Sequence, residues 1–76
     1  MMETIKGKVS KIRVLKLATS PLVRFSVDDT SCLIALHSLQ FLYEVQDDME
    51  IVVAGTYNER NQFVVKKFCV LKKEFA

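Results

Sequence analysis

Apolar residues in the first extended segment change parity halfway along it. Before Lys11, every second residue is apolar or glycine, and this set comprises Ile5, Gly7 and Val9. After Lys11 the apolar positions move by one residue, to Ile12 and Val14. Because alternate side chains of a strand lie on opposite faces, the slip indicates a β-bulge or sharp coil within one long strand. Gly7 favours such a bend, because glycine lets a sheet curl tightly.

Four further strands follow this first strand, which is predicted at residues 4–17. Alternating or continuously apolar runs place the others at residues 23–27, 32–36, 49–56 and 62–71. Turn-forming residues separate the early strands, at 18–21 and 28–31.

A short helix is predicted over residues 39–45, with Ser38 as its cap. Its apolar side would consist of Leu39, Leu42 and Val45. The aromatic residues Phe41 and Tyr43 are expected to contribute to its packing. Asp47-Asp48 ends the helix and precedes the fourth strand.

The chain is short enough to be a single domain, residues 1–76, with its core over about 4–71 and a frayed tail at 72–76. An open all-β sheet of this size would leave hazardous edge strands, and a closed barrel removes them. A long, bent first strand is what closure requires, since it must pair at both ends of the barrel. The pattern therefore predicts an all-β, five-stranded barrel with a helix between the third and fourth strands.

Charge is unevenly distributed along the chain, although the net charge is only +2. Residues 1–27 carry six cations and one acid, residues 28–59 carry seven acids and no lysine or arginine, and residues 60–76 carry five cations and one acid. If the two basic ends meet in the fold, the protein has a positive and a negative side.

The N-terminal residues contain no apolar stretch typical of a signal peptide, and no run approaches the roughly 20 apolar residues of a membrane helix. We therefore expect a cytoplasmic protein without membrane contact. In a reducing compartment, Cys32 and Cys69 are expected to be small buried hydrophobic residues and not a disulfide. His37 cannot complete a zinc site with these two thiols alone.

Catalytic signatures are missing from the sequence. There is one histidine, no nucleophile elbow, no glycine-rich phosphate loop and no metal-ligand spacing. The adjacent pairs Asp28-Asp29 and Asp47-Asp48 are explained by turn chemistry. We expect a protein that is not an enzyme and carries no cofactor or metal.

Three stretches together cover nearly the whole chain: IKGKVSKI, VRFSVDDTSCLIAL and DDMEIVVAGTYNERNQFVV. They resemble the OB-fold, in the nucleic-acid-binding form of tRNA-synthetase anticodon-binding domains and related single-strand binders. Two positions depart from the family pattern. Asp47-Asp48 replaces a Gly-Asp pair, and aspartate tolerates the left-handed backbone needed there. The tip of the last hairpin lacks glycine, so Asn58 or Asn61 must take its place.

The resemblance implies a specific arrangement of strands and ligand. The first strand would pair with the second and fourth, and the fifth would close against the first and third. Ligand would lie across the second and third strands, between loops 16–22 and 57–62. The basic ends would converge on one side, and the acidic helix segment would cap the opposite end.

Single-strand binders need cations along the phosphates and flat side chains under the bases. The candidates here are Lys8, Arg13, Lys16, Arg24, His37, Tyr57, Arg60, Lys66 and Phe68. The cations could equally form ordinary solvated strand faces, and Tyr57 could pack over the barrel mouth. Phe68 shares a face with Lys66 if the fifth strand is regular, and enters the core if a bulge lies at Lys66-Lys67. His37 could instead be a solvent-facing residue.

The expected function is binding of single-stranded DNA or RNA through a basic face and the last hairpin. The alternative is a module for protein interaction, in a homo-oligomer or a larger complex, through the apolar third strand. By parity, Leu33 and Ala35 would point outward there and form either a groove floor or an interface.

Overall fold

The computed structural model describes residues 2–71 as a closed five-stranded barrel with one short helix. The elements are β1 (Glu3–Lys16), β2 (Leu22–Val27), β3 (Thr30–Ile34), α1 (Ser38–Glu44), β4 (Glu50–Tyr57) and β5 (Phe63–Val70). This is the OB-fold-like barrel that the sequence predicts. The tail expected at 72–76 lies outside the described residues.

Strand order around the barrel is β1-β2-β3-β5-β4. β1 serves two partners: its first half pairs with β4, from Glu3–Gly55 to Lys8–Glu50, and its second half pairs with β2. β5 runs parallel to β3 and antiparallel to β4. The expectation that β5 also closes against β1 is wrong, because β4 occupies that position in the ring.

The predicted bulge in β1 is confirmed at Lys11. Its φ is 56°, in the left-handed region, and the β1–β2 register shifts between Ser10 and Arg13. Gly7, by contrast, has no positive φ. Its role is space, because a Cβ there would meet the carboxylate of Asp28, whose Oδ1 accepts a hydrogen bond from the Lys8 N–H at 3.0 Å.

A second bulge lies in β5 at Lys66. Ala54 pairs with Lys67 while Gly55 pairs with Val65, so Lys66 is the extra residue. Gly55 permits the close approach, since a Cβ there would overlap the backbone carbonyl of Val64.

This bulge decides whether Phe68 faces the core or the outside, which the sequence left open. Phe68 turns inward, is half-buried, and meets the Phe41 ring edge-on at a centroid distance of 5.4 Å. The next residue, Cys69, is therefore exposed. The expectation that both cysteines are buried is wrong for Cys69 and confirmed for Cys32.

Among residues 2–71, twelve buried apolar residues form the core of the barrel: Val9, Val23, Phe25, Val27, Cys32, Ile34, Phe41, Val45, Ile51, Val53, Phe63 and Val65. α1 contributes to it through Phe41, whose ring centroid lies 4.4 Å from that of Phe25. Burying a phenylalanine contributes about 1.5–3 kcal/mol. Burial also raises the pKa of the Cys32 thiol to about 11.

The helix differs from its prediction in its cap and its buried side. His37 is the N-cap, in a left-handed conformation and without a side-chain cap bond, while the Ser38 hydroxyl is buried and has no partner. Because Phe41 anchors α1, the helix turns Leu39 and Tyr43 outward, 61% and 90% exposed. Tyr43 therefore does not pack as expected. Within residues 2–71, α1 is too short to cross a bilayer.

Candidate nucleic-acid interface

A row of outward-facing residues crosses four strands of the barrel. Arg13 on β1 lies opposite Arg24 on β2, and Arg24 lies opposite Leu33 on β3. Val64 on β5 continues the row beside Leu33. Alternation explains their orientation, because the neighbours of Arg24 and Leu33 along each strand are core residues. We call this surface, with the loop at residues 58–62, the β2–β3 face.

The two arginines are neighbours of like charge. Directly opposed like charges destabilise a strand pair by about 0.2–1 kcal/mol. In the register of the described strands, the residue beyond Arg24 is the apolar Leu33 and not a carboxylate. The row therefore carries positive charge that an external anion would neutralise.

Beside this pair lies a shallow depression of about 320 Å³, here called the cationic depression. Its walls are Lys11, Arg13, Leu15, Arg24, Phe25 and Ser26. Three of these six residues are cations and none is acidic. Lys11 is the left-handed bulge residue, so the slip in β1 itself brings a third cation to the site. Lys11 was not among the sequence candidates, although a charged residue at a parity slip is a detectable signal.

The loop at residues 58–62 is organised by its own side chains. The Asn58 Oδ1 accepts hydrogen bonds from the backbone N–H groups of Arg60 and Gln62, both at 2.9 Å. Asn61 adopts a left-handed φ of 61°, which confirms that an asparagine replaces the missing glycine. Asp48, with a φ of 73°, does the same before β4.

This loop meets the apolar centre of the β2–β3 face. Asn58, Glu59, Arg60 and Gln62 surround a second depression, and its remaining wall is Leu33. Two arginines therefore lie near Leu33: Arg60 shares this depression with it, and Arg24 lies opposite it on β2. Asn58 and Gln62 were missed as site residues because their positions depend on how the loop folds over β3.

Tyr57 stands at the foot of the same loop. It pairs with Phe63, and the two rings meet edge-on with centroids 5.1 Å apart. The side chain remains 41% exposed. Tyr57 thus packs over the barrel mouth and still offers part of its ring to the outside.

Other candidates lie at the margins of this face or away from it. Lys16 pairs with Leu22 at the end of β1, just past the cationic depression. Lys8 is opposite Glu50 and adjacent to Asp28, at the acidic end of the barrel. The structure does not bring Lys8 to the arginine pair.

The last three candidates lie toward α1. Val65 on β5 pairs with Ile34, the last residue of β3. Lys66 follows Val65 and is exposed, so it lies beside the point where the chain leaves β3. His37 and Phe68 line a separate groove between α1 and β5, together with Gln40, Glu44, Lys67, Cys69 and Val70. Phe68 and Lys66 therefore do not form the aromatic–cation face that a regular strand would have produced.

Within residues 2–71, no three histidine, cysteine, aspartate or glutamate side chains come together as a metal site. Comparisons of the chain with protein-family models, with curated proteins and with solved structures gave no match.

Proposed function

We propose that this protein binds single-stranded nucleic acid across the β2–β3 face, without catalysing a reaction. The observation that carries the proposal is the row in which Arg13 opposes Arg24 and an apolar residue, Leu33, comes next. Cations beside an apolar strip are what a strand with a charged backbone and flat bases requires.

The geometry suggests how the strand would lie. Phosphates would follow the arginine pair and the cationic depression, while bases would contact Leu33 and the exposed part of Tyr57. Arg60 would hold the strand from the loop side. The turns at Asp28 and Asp48 lie at the acidic end of the barrel, beside the middle of β1, where the backbone N–H groups of both aspartates donate hydrogen bonds to the Lys8 and Val9 carbonyls. Their charges would repel the strand from that end.

The test is a binding titration with labelled single-stranded DNA, single-stranded RNA and duplex at several salt concentrations. We expect single strands to bind at low salt and affinity to fall steeply as salt rises. The double variant Arg13→Ala/Arg24→Ala should weaken binding to every sequence and flatten the logarithmic salt slope by about 0.7 per arginine.

A matched control removes two charges elsewhere: Lys6→Ala/Lys67→Ala, on the β1–β4–β5 side of the barrel. This variant should bind almost as wild type does. Equal losses in both double variants would indicate attraction to net charge and not a site, and absence of binding at low salt would end the proposal.

The alternative, a self-association module, is favoured by a different surface from the one the sequence indicated. Leu33 is only half-exposed, whereas Leu36, Leu39 and Tyr43 are 55%, 61% and 90% exposed along and just before α1. A second copy related by a two-fold axis could cover this stripe. It offers on the order of 400 Å² per copy, about half of the roughly 800 Å² per partner in stable interfaces.

This area predicts a weak dimer at most. Light scattering over a range of concentrations measures it, with Leu39→Glu expected to abolish self-association. Leu17→Glu is the control, because Leu17 is 87% exposed at the end of β1. A monomer at all concentrations would exclude this alternative.

A further inference from the structure

We propose that the cationic depression holds a terminal phosphate monoester, so that the protein grips a strand at its end. This inference rests on the proposed function and makes it more specific. It assigns a separate role to Lys11, Arg13 and Arg24, which line one depression. The interior of the strand would then lie over Leu33 and the loop at residues 58–62.

Charge balance is the first argument. A phosphate monoester carries about −1.5 to −2 at neutral pH, whereas an internal phosphodiester carries a single negative charge. Three cations line the depression, and no carboxylate does among the described residues. A monoester therefore neutralises more of this charge than a diester, and more of the repulsion between Arg13 and Arg24 is relieved.

The number of hydrogen-bonding oxygens is the second argument. A monoester presents three terminal oxygens and a bridged diester only two. Guanidinium groups bind such oxygens in pairs. Two guanidinium groups, the Lys11 ammonium and the Ser26 hydroxyl supply more donors than a diester can accept.

The backbone at Lys11 is the third observation. A non-glycine residue in the left-handed region is disfavoured by roughly 1–2 kcal/mol. The bulge places the Lys11 cation in the wall of the depression, next to Arg13. Regular pairing of β1 with β2 resumes at Arg13. A glycine would satisfy the backbone better but would leave the depression with two cations.

The experiment compares three oligonucleotides of one sequence, with a 5′-phosphate, with a 3′-phosphate and with neither. We expect one terminal phosphate to increase affinity about tenfold over the unphosphorylated strand. Lys11→Gly should remove this preference, so that the three oligonucleotides bind with equal affinity, and it should also weaken binding of the unphosphorylated strand, because one cation on the phosphate path is lost. Lys6→Ala, an equal charge loss on the far half of β1, should keep the preference.

Each outcome separates this inference from the proposed function. Binding of all three strands with equal affinity overturns terminal-phosphate recognition and leaves single-strand binding standing. Persistence of the preference in Lys11→Gly and in Arg24→Ala also overturns it. If no strand binds, both proposals fall.

A competition arm distinguishes a strand end from a free phosphate compound. Inorganic phosphate and a nucleoside monophosphate are added to the phosphorylated complex. We expect both to compete only at much higher concentration than the phosphorylated strand itself. If the mononucleotide alone binds as tightly as the strand, the depression is a small-molecule site and the strand-end proposal is wrong.

Discussion

Arg13 and Arg24 face each other directly across the β1–β2 strand pair, on the outside of the barrel. Their register follows from the bulge at Lys11, which adds one residue to β1: Lys11 and Ile12 lie between Ser10 and Arg13, whereas only Phe25 separates their partners on β2. The pairing of two like charges is unfavourable for the folded protein by itself. Removing one of the two arginines should therefore stabilise the folded protein and weaken its affinity for an anionic ligand.

Replacing Arg13 with glutamine should therefore raise the free energy of unfolding by a few tenths of a kcal/mol at low salt. The gain should vanish at about 1 M salt, where charges are screened within roughly 3 Å. Urea denaturation at the two salt concentrations measures both values. Lys67→Gln, which removes a charge opposite Ala54, should show no comparable gain. Destabilisation by Arg13→Gln would mean that the arginine stem supports the fold by packing.

Lys11→Gly should stabilise the protein by about 1 kcal/mol, because glycine adopts a positive φ without a steric penalty. Lys6→Gly is the opposite case, since Lys6 lies in the regular part of β1 opposite Val52. A glycine there should lower stability by about 0.5–1 kcal/mol. Chemical denaturation of both variants gives the comparison, and a loss of stability in Lys11→Gly would contradict the assigned strain.

The two glycines should differ in their tolerance of alanine. At Gly55 the added Cβ would overlap the backbone carbonyl of Val64, so Gly55→Ala should cost about 3 kcal/mol or more. At Gly7 the obstacle is the Asp28 carboxylate, which can move. Gly7→Ala should cost less, and combining it with Asp28→Ala should recover part of the loss. Additive losses in that double variant would place the obstruction elsewhere.

The two cysteines should react at very different rates with a thiol reagent. Cys69 is exposed and should be labelled in the folded protein, whereas Cys32 should react only when the barrel opens. Mass spectrometry of labelled peptides with and without denaturant separates the two sites. Fast labelling of Cys32 in native buffer would show that the barrel opens readily.

The same burial predicts a dependence of stability on pH. The Cys32 pKa rises from 9.0 to about 11 on folding, so the folded state holds its thiol proton more tightly. The contribution of the Cys32 thiol to the free energy of unfolding is complete below pH 9 and decreases as the pH rises toward 11. Denaturation of wild type and Cys32→Ala at several pH values measures it, and the difference between them should shrink in this interval.

Local patterns were enough to predict the barrel. Alternation located the strands, and the parity slip located the bulge at Lys11. The resemblance to the OB-fold implied left-handed backbone in the Asp47-Asp48 pair and at Asn58 or Asn61, and Asp48 and Asn61 adopt it. Each of these features depends on neighbouring residues and on a steric rule that acts at short range.

What could not be predicted depends on contacts between distant segments. The bulge at Lys66 arises where β5 approaches Gly55, and it decides that Phe68 turns inward and Cys69 outward. The exposure of Tyr43 follows from the docking of Phe41 against Phe25. The cationic depression likewise needs the register of two strands, so Arg13 and Arg24 were identified singly and not as a pair.

The division of β1 between two partners sets the order in which the barrel can form. Its second half pairs with β2 across a short turn, and β3 follows directly, so these three strands can associate early. Its first half can pair only with β4. The partner of Glu3 is Gly55, which is separated from it by most of the length of the chain. Contacts this distant slow folding to the millisecond-to-second range typical of small barrels. Until then half of β1 has an open edge, and the time spent in that state, more than the final stability, would determine how readily the chain aggregates.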